Sequence, residues 1–183
     1  MDKLLIASDI HGSAYYLKKL FERIDSEKPD RIFLLGDLLY HGPRNDLPRE
    51  YDPKLCIDLL NGIREDVFCI RGNCDTEVDQ MVLRFPIMAD YAVLTLGDRL
   101  LYASHGHHYG ENNPPALRKG DILLCGHTHV PACTDHGDFL YMNPGSVAIP
   151  KADSCPSYMV WERGTFYWKN VETGETYRTW PEA

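Results

Sequence analysis

Five polar clusters constrain this chain more than any other feature. Each lies at the end of an apolar run or in the loop just after it: Asp9-Ile10-His11, Gly36-Asp37, Gly72-Asn73, Ser104-His105-Gly106-His107 and Gly126-His127-Thr128-His129. Alone, a Gly-Asp reads as a turn and a histidine as a solvated side chain. Together, five such exits on one core crowd unpaired polar groups at one edge unless a cation gathers them. Residues two apart on an extended chain point to the same side, so Asp9 and His11 are expected to converge on one ion, as are His127 and His129. The neighbouring glycines let the backbone turn tightly at the rim.

The runs between the clusters set the architecture. Lys3–Ala7 reads as a buried strand, and Ala14–Ile24 places Leu17, Leu20, Phe21 and Ile24 on one helical face. Arg31–Leu35 is a second strand. Asp52-Pro53 supplies an N-cap and an N1 proline for a helix carrying Leu55, Cys56, Leu59 and Leu60, which Asn61-Gly62 stops. With Val67–Ile70 as the third strand, the first part reads β-α-β-α-β, the pattern of a parallel sheet with crossover helices.

From Tyr91 the pattern changes. Tyr91–Leu96 and Arg99–Ala103 flank Gly97-Asp98 as a hairpin, and Ile122–Cys125, Phe139–Met142, Tyr158–Trp161, Thr165–Lys169 and Thr176–Trp180 are further strands. This half is expected to be antiparallel. Two sheets packed face to face with helices outside accommodate both halves.

A length of 183 residues fits one domain spanning 1–183, with 44% apolar and 25% charged residues. No apolar run approaches the roughly 18–20 residues that span a bilayer, and the N-terminal apolar stretch is too short for a signal peptide. The six cysteines form no C-x-x-C pair, which suggests a reducing cytoplasm. A formal charge of −8 argues against broad nucleic-acid binding, which needs clustered cations. There is no P-loop, no G-x-S-x-G elbow and no paired C-x-x-C zinc site.

The motifs D-x-H, G-D, G-N-C-D, H-G-H and G-H-T-H, in this order and spacing, resemble the calcineurin-like metallophosphoesterase superfamily over nearly the whole chain. The short length, the Cys of G-N-C-D where His is usual, and His41-Gly42-Pro43-Arg44-Asn45 resemble its small bacterial YfcE-like phosphodiesterases. The resemblance implies a four-layer αββα sandwich of two mixed sheets flanked by helices. It also implies two divalent ions, Mn²⁺ foremost, with Zn²⁺, Fe or Ni²⁺ as alternatives. Asp9, His11, Asp37 and His129 are assigned to one ion; Asp37, Asn73, His105 and His127 to the other, with Asp37 bridging. A mixed imidazole and oxygen set suits Mn, Fe or Zn. Two such ions activate a hydroxide and draw in an anionic phosphate.

The implied activity is hydrolysis of a small phosphodiester. The alternatives are a phosphomonoesterase or nucleotide hydrolase of the same superfamily, or a non-catalytic scaffold such as its retromer subunit. Asn73, Cys74 and Asp75 form the catalytic turn, where Cys74 stands in the place of the usual acid and either packs or transfers a proton, while Asp75 orients the turn. His41, Arg44 and Asn45 are candidate substrate residues, and His107 either binds substrate or supports the site. Asn143-Pro144-Gly145-Ser146 is read as a structural turn near the site; His108 and His136 default to solvent. A homo-oligomer is left open.

Overall fold

The computed structural model describes residues 1–181. Strand β1 (Lys3–Ala7) is the hinge of the architecture, because it is buried on both faces. Leu4 and Ile6 point into the core between the two sheets, while Leu5 and Ala7 point towards the helices. That explains the continuous apolar run: a strand covered on both sides has no polar face to display.

Helix α1 (Ala14–Glu27) starts at Ser13, whose hydroxyl accepts a hydrogen bond from the Tyr16 N–H at 3.3 Å, and ends with Lys28 in a left-handed conformation. Its Leu17 and Leu20 are fully buried against β1 and β2 (Arg31–Leu34). Burial of side chains of this size stabilises by about 1.5–3 kcal/mol each, so Leu17→Ala would cost about 2–5 kcal/mol once the cavity is included. Helix α2 (Pro53–Gly62) has the expected Asp52 cap and N1 proline, with Cys56 and Leu60 inward. After β3 (Val67–Cys69) comes a short helix that the apolar pattern did not disclose, α3 (Glu77–Val82). A capping box between Thr76 and Asp79 sets it, and none of its residues is buried.

The first sheet has the order β11-β10-β9-β1-β2-β3, with β9 (Ser157–Glu162), β10 (Thr165–Asn170) and β11 (Thr176–Trp180). The β1, β2 and β3 pairings are parallel and the C-terminal three strands join antiparallel. The second sheet has the order β4-β5-β6-β8-β7, built from β4 (Tyr91–Leu96), β5 (Arg99–Ser104), β6 (Asp121–Leu124), β7 (Ala132–Asp135) and β8 (Phe139–Asn143). The expectation of an antiparallel second half is corrected here, because β5·β6 and β6·β8 are parallel. The connections 105–120 and 125–138 are long enough to carry the chain back to the same end, and the second of them contains β7, which pairs antiparallel with β8.

Both sheets are therefore mixed. Phe33, Leu35, Leu101, Ile122, Leu124 and Met142 pack between them with Trp168, and Leu117 of the 105–120 connection packs on the outer face of the second sheet. The consequence for the site is directional. β1, β2, β5 and β6 run parallel within their sheets in pairs, so their C-terminal exits deliver the polar clusters to one edge of the sandwich. Among the described residues, no helix is long and apolar enough to cross a membrane.

Candidate metal centre

The clusters meet, but not through extended backbone. Asp9, His11, Asp37, His127 and His129 all have positive φ, between 50° and 66°. Left-handed backbone is unfavourable for such residues, at about 1–3 kcal/mol each, and the side-chain alternation expected for Asp9/His11 and His127/His129 does not apply. Each residue instead turns the chain sharply at a strand exit. Backbone bonds hold those turns: Asp9 N–H to Gly36 O, His11 N–H to Asp37 O and Gly126 N–H to His105 O, at 2.9–3.1 Å.

Three imidazoles share one orientation. The Nδ1 atoms of His11, His105 and His129 lie 2.7, 2.6 and 2.7 Å from the carbonyl oxygens of Tyr40, Leu35 and Ile149. A carbonyl only accepts, so each Nδ1 carries the proton and each neutral ring presents its Nε2 lone pair inward. Those lone pairs surround two buried carboxylates. Asp9 Oδ1 is 3.2 Å from His129 Nε2, 3.5 Å from His11 Nε2 and 4.0 Å from His105 Nε2. Asp37 Oδ2 lies between His105 Nε2 at 3.4 Å and His11 Nε2 at 3.6 Å.

Asn73 Oδ1 is 3.2 Å from His105 Nε2. The His127 ring centroid is 5.2 Å from that of His105, and the backbone N–H of His127 donates to Asp9 Oδ2 at 3.0 Å. Asp9 Oδ1 is buried and accepts no hydrogen bond. An orphaned carboxylate oxygen facing inward lone pairs, in a mixed N and O donor set, fits a divalent cation.

The electrostatics show the same competition in protonic form. Burial opposes charge on His105, but the hydrogen bond to Asp37 and the fields of Asp9 and Asp37 outweigh it and push the ring up to about 9. His11 is also raised, against burial, chiefly by Asp9. Burial alone would raise Asp9, yet His11 and His129 hold it well below the usual carboxylate range. Without a metal, the fields of the two carboxylates favour a proton on His105 and His11.

The Asn73–Asp75 turn divides in its roles. Asp75 is buried and accepts from the N–H groups of Asp37 (2.8 Å), Leu38 (2.9 Å) and Gly72 (2.7 Å), clamping the β2 and β3 exits together. A Cβ at Gly72 would collide with the Asp37 carboxylate and backbone, so the close approach requires glycine. Cys74 donates its N–H to Asp37 Oδ1 at 2.8 Å. Burial first, then Asp37, pushes its thiol up to about 12.

A cavity of about 450 Å³ opens over the centre, lined by Cys74, Arg44, Asn45, Thr128 and Lys151 besides the ligand-type residues. His41 is outside its lining and packs between Tyr40 and Tyr51. His107 lines an adjoining cavity of about 390 Å³ with His108 and Tyr141, and burial reinforced by the charge of His105 lowers it to about 4. His136 is exposed, in keeping with its solvent default, and pairs there with Glu111 at 3.0 Å. The Asn143–Ser146 turn is buried: Ser146 Oγ donates to Asp9 O at 2.8 Å and Asn143 Nδ2 to Gly126 O at 2.7 Å. Lys151 and Thr128 were not anticipated. A single lysine in a loop has no sequence signal, while Thr128, between two histidines of the G-H-T-H cluster, stood where a signal existed.

A two-sheet sandwich with acidic and imidazole groups gathered at its edge defines a metal-dependent hydrolase class. The chain matches the calcineurin-like phosphoesterase superfamily domain over residues 3–165 and belongs to that superfamily. It is 44% identical over 158 residues to the phosphodiesterase YfcE of Escherichia coli (strain K12), covering 86% of each chain. It is 27% identical over 164 residues to the probable metallophosphoesterase YsnB of Bacillus subtilis (strain 168), covering 86% of this chain and 82% of that one. The solved structure of the E. coli phosphoesterase YfcE superposes with a TM-score of 0.93 at 39% identity, covering 97% of both chains. A Vps29 structure from Entamoeba histolytica, at 21% identity and TM-score 0.64 over 96% of each chain, shares the fold.

Proposed function

We propose that this protein is a phosphodiesterase that hydrolyses a small phosphodiester with two divalent ions, Mn²⁺ foremost. The observation that carries the reading is the inward set of three Nε2 atoms around Asp9 Oδ1 and Asp37 Oδ2, with Asp9 Oδ1 left without a partner. In this assignment Asp9, His11, Asp37 and His129 hold one ion and Asp37, Asn73, His105 and His127 the other. The position of Asp37 Oδ2 between His105 and His11 supports its bridging role. When bound, the ions supply a water acidic enough to attack near neutral pH and positive charge against the phosphoryl oxygens.

The chain's own residues do the rest. The carbonyls of Tyr40, Leu35 and Ile149 fix the ring orientations, a support on which ligand basicity depends. Arg44 and Asn45 on the cavity wall grip substrate oxygens, Arg44 as a charge-assisted donor. Asp75 keeps the turn closed. We read residues 1–183 as one working unit in the cytoplasm, supported by the thiol-rich sequence.

The test is a panel of aryl and alkyl diesters, monoesters and nucleotides assayed with Mn²⁺-loaded protein whose metal content is measured on the same sample. Diester turnover with two metals per chain is expected. Preference for monoesters would reassign the substrate class, and no turnover with full metal content would favour a scaffold.

A further inference from the structure

The cavity over the centre is larger than one phosphoryl group needs, and its outer wall carries two cations. Arg44 and Lys151 come from two separate loops that both line the cavity, both are exposed, and neither has an acidic partner among the described residues. Asp37 is the one carboxylate in the lining.

Both loops are tied down. Asn45 Nδ2 donates to His41 O at 2.8 Å, closing the loop that carries Arg44. The Lys151 N–H donates to His129 O at 3.2 Å, and its carbonyl accepts from Ser154 N–H at 3.1 Å and from the Ser154 hydroxyl at 2.6 Å. Lys151 is thus fixed one short turn from a ligand-type histidine.

A plain diester carries a single negative charge, which two dications over two carboxylates and an activated hydroxide already balance. Two further cations at the mouth are in surplus for such a substrate. They match one that brings a second anion, since guanidinium and ammonium groups are the usual partners of phosphate oxygens.

Resting on the phosphodiesterase reading, we infer that the substrate carries a second phosphate group on one arm, held between Arg44 and Lys151 at the cavity mouth. Lys151 is then a specificity-determining residue. It acts on binding and leaves the bond-breaking step to the centre.

The probes are propane-1,3-diyl bisphosphate and propyl phosphate. Each is measured as an inhibitor of bis(p-nitrophenyl) phosphate hydrolysis by the Mn²⁺-loaded protein, and by calorimetric titration of the same loaded protein. The bisphosphate is expected to bind at least about tenfold more tightly than the monophosphate in both measurements. That advantage should fall to about twofold or less in an Arg44→Ala, Lys151→Ala double variant. Equal binding of the two probes by wild type would overturn the inference, as would an advantage that survives the double substitution. If the loaded protein hydrolyses no diester, the functional reading fails, and the calorimetric ratio still decides whether the second anion site exists.

Discussion

The Nε2 atoms of His11 and His129 face each other at 3.2 Å although the residues are 118 positions apart. Each ring donates its Nδ1 proton to a backbone carbonyl, so two neutral rings would oppose lone pair to lone pair. A proton on one ring relieves that contact, and so does a cation between them. Metal and proton therefore compete for the same atoms.

The first prediction follows from that competition. Apparent affinity for Mn²⁺ should rise with pH up to about 9, where His105 loses its proton in the metal-stripped protein. Calorimetric titration at a series of pH values, in buffers of different ionisation enthalpy, reads both the affinity and the protons released. An affinity independent of pH between 6 and 9 would show that His105 is not a ligand.

The metal-stripped protein should also show a stability change of defined sign. A histidine has a reference pKa near 6.5 when unfolded, and folding raises His105 to about 9. The stabilisation is fully present below the unfolded value and is lost as pH rises through the folded one. Urea midpoints should therefore fall between about pH 6.5 and 9, and the slope should flatten in His105→Gln. His107, lowered to about 4, is neutral in the folded state across that window, and the loss of its unfolded-state proton at about pH 6.5 opposes the trend only at the lower edge.

Asp37→Asn and His105→Ala should each lower diester turnover at least about a hundredfold, because even the loss of an outer-shell partner costs 10–100-fold at metal sites. Asp37→Asn should lose more metal, since Asp37 Oδ2 lies near two imidazoles whereas His105 serves one position. Elemental analysis alongside circular dichroism separates lost metal from lost fold. Near-normal rates with two metals retained would remove both residues from the centre.

How much of this could be read from the sequence depended on range. Asp52 and Pro53 act within one helical turn, so their capping roles were legible, whereas the Ser13 cap, equally local, is seen only in the structure. The polar clusters were legible because apolar runs delimit them. The parallel register of Leu101 with Ile122 was not, since the sheet order depends on how the long 105–120 connection returns across the sandwich. The left-handed backbone of Asp9 and His127 was equally hidden: φ > 0 is normally announced by glycine, and here tertiary hydrogen bonds impose it on Asp and His. The Asp79 box that makes α3 lacks the buried face that gives a helix its periodicity.

Gly72→Ala tests the steric side of the design. An added Cβ would overlap Asp37 and disturb the Gly72 N–H to Asp75 bond, so the β2 and β3 exits must separate. Metal affinity should drop by about 10–100-fold although no ligand is changed. Full metal content and activity in Gly72→Ala would mean that the Asp75 clamp does not position the carboxylate.

In the proposed reaction, Cys74 bears on the departure of the leaving group. The residue lines the cavity, and its Sγ accepts a hydrogen bond from Asn73 Nδ2 at 3.2 Å. In the metal-free protein its thiol, pushed up to about 12 by burial and by Asp37, is a poor acid near neutral pH. Diesters with aryl leaving groups, which depart without protonation, should be cleaved well, and alkyl leaving groups poorly. Cys74→Ala should change the aryl rate by no more than about threefold, whereas Cys74→His, with a donor pKa near 6.5, should flatten the dependence of kcat on leaving-group pKa. The measurement is kcat for the three proteins across diesters of graded leaving-group pKa, with metal content checked in each. A steep loss in Cys74→Ala confined to alkyl leaving groups, with both metals retained, would establish the thiol as the proton donor. The charge of the bound ions would then have brought its pKa down from its metal-free value.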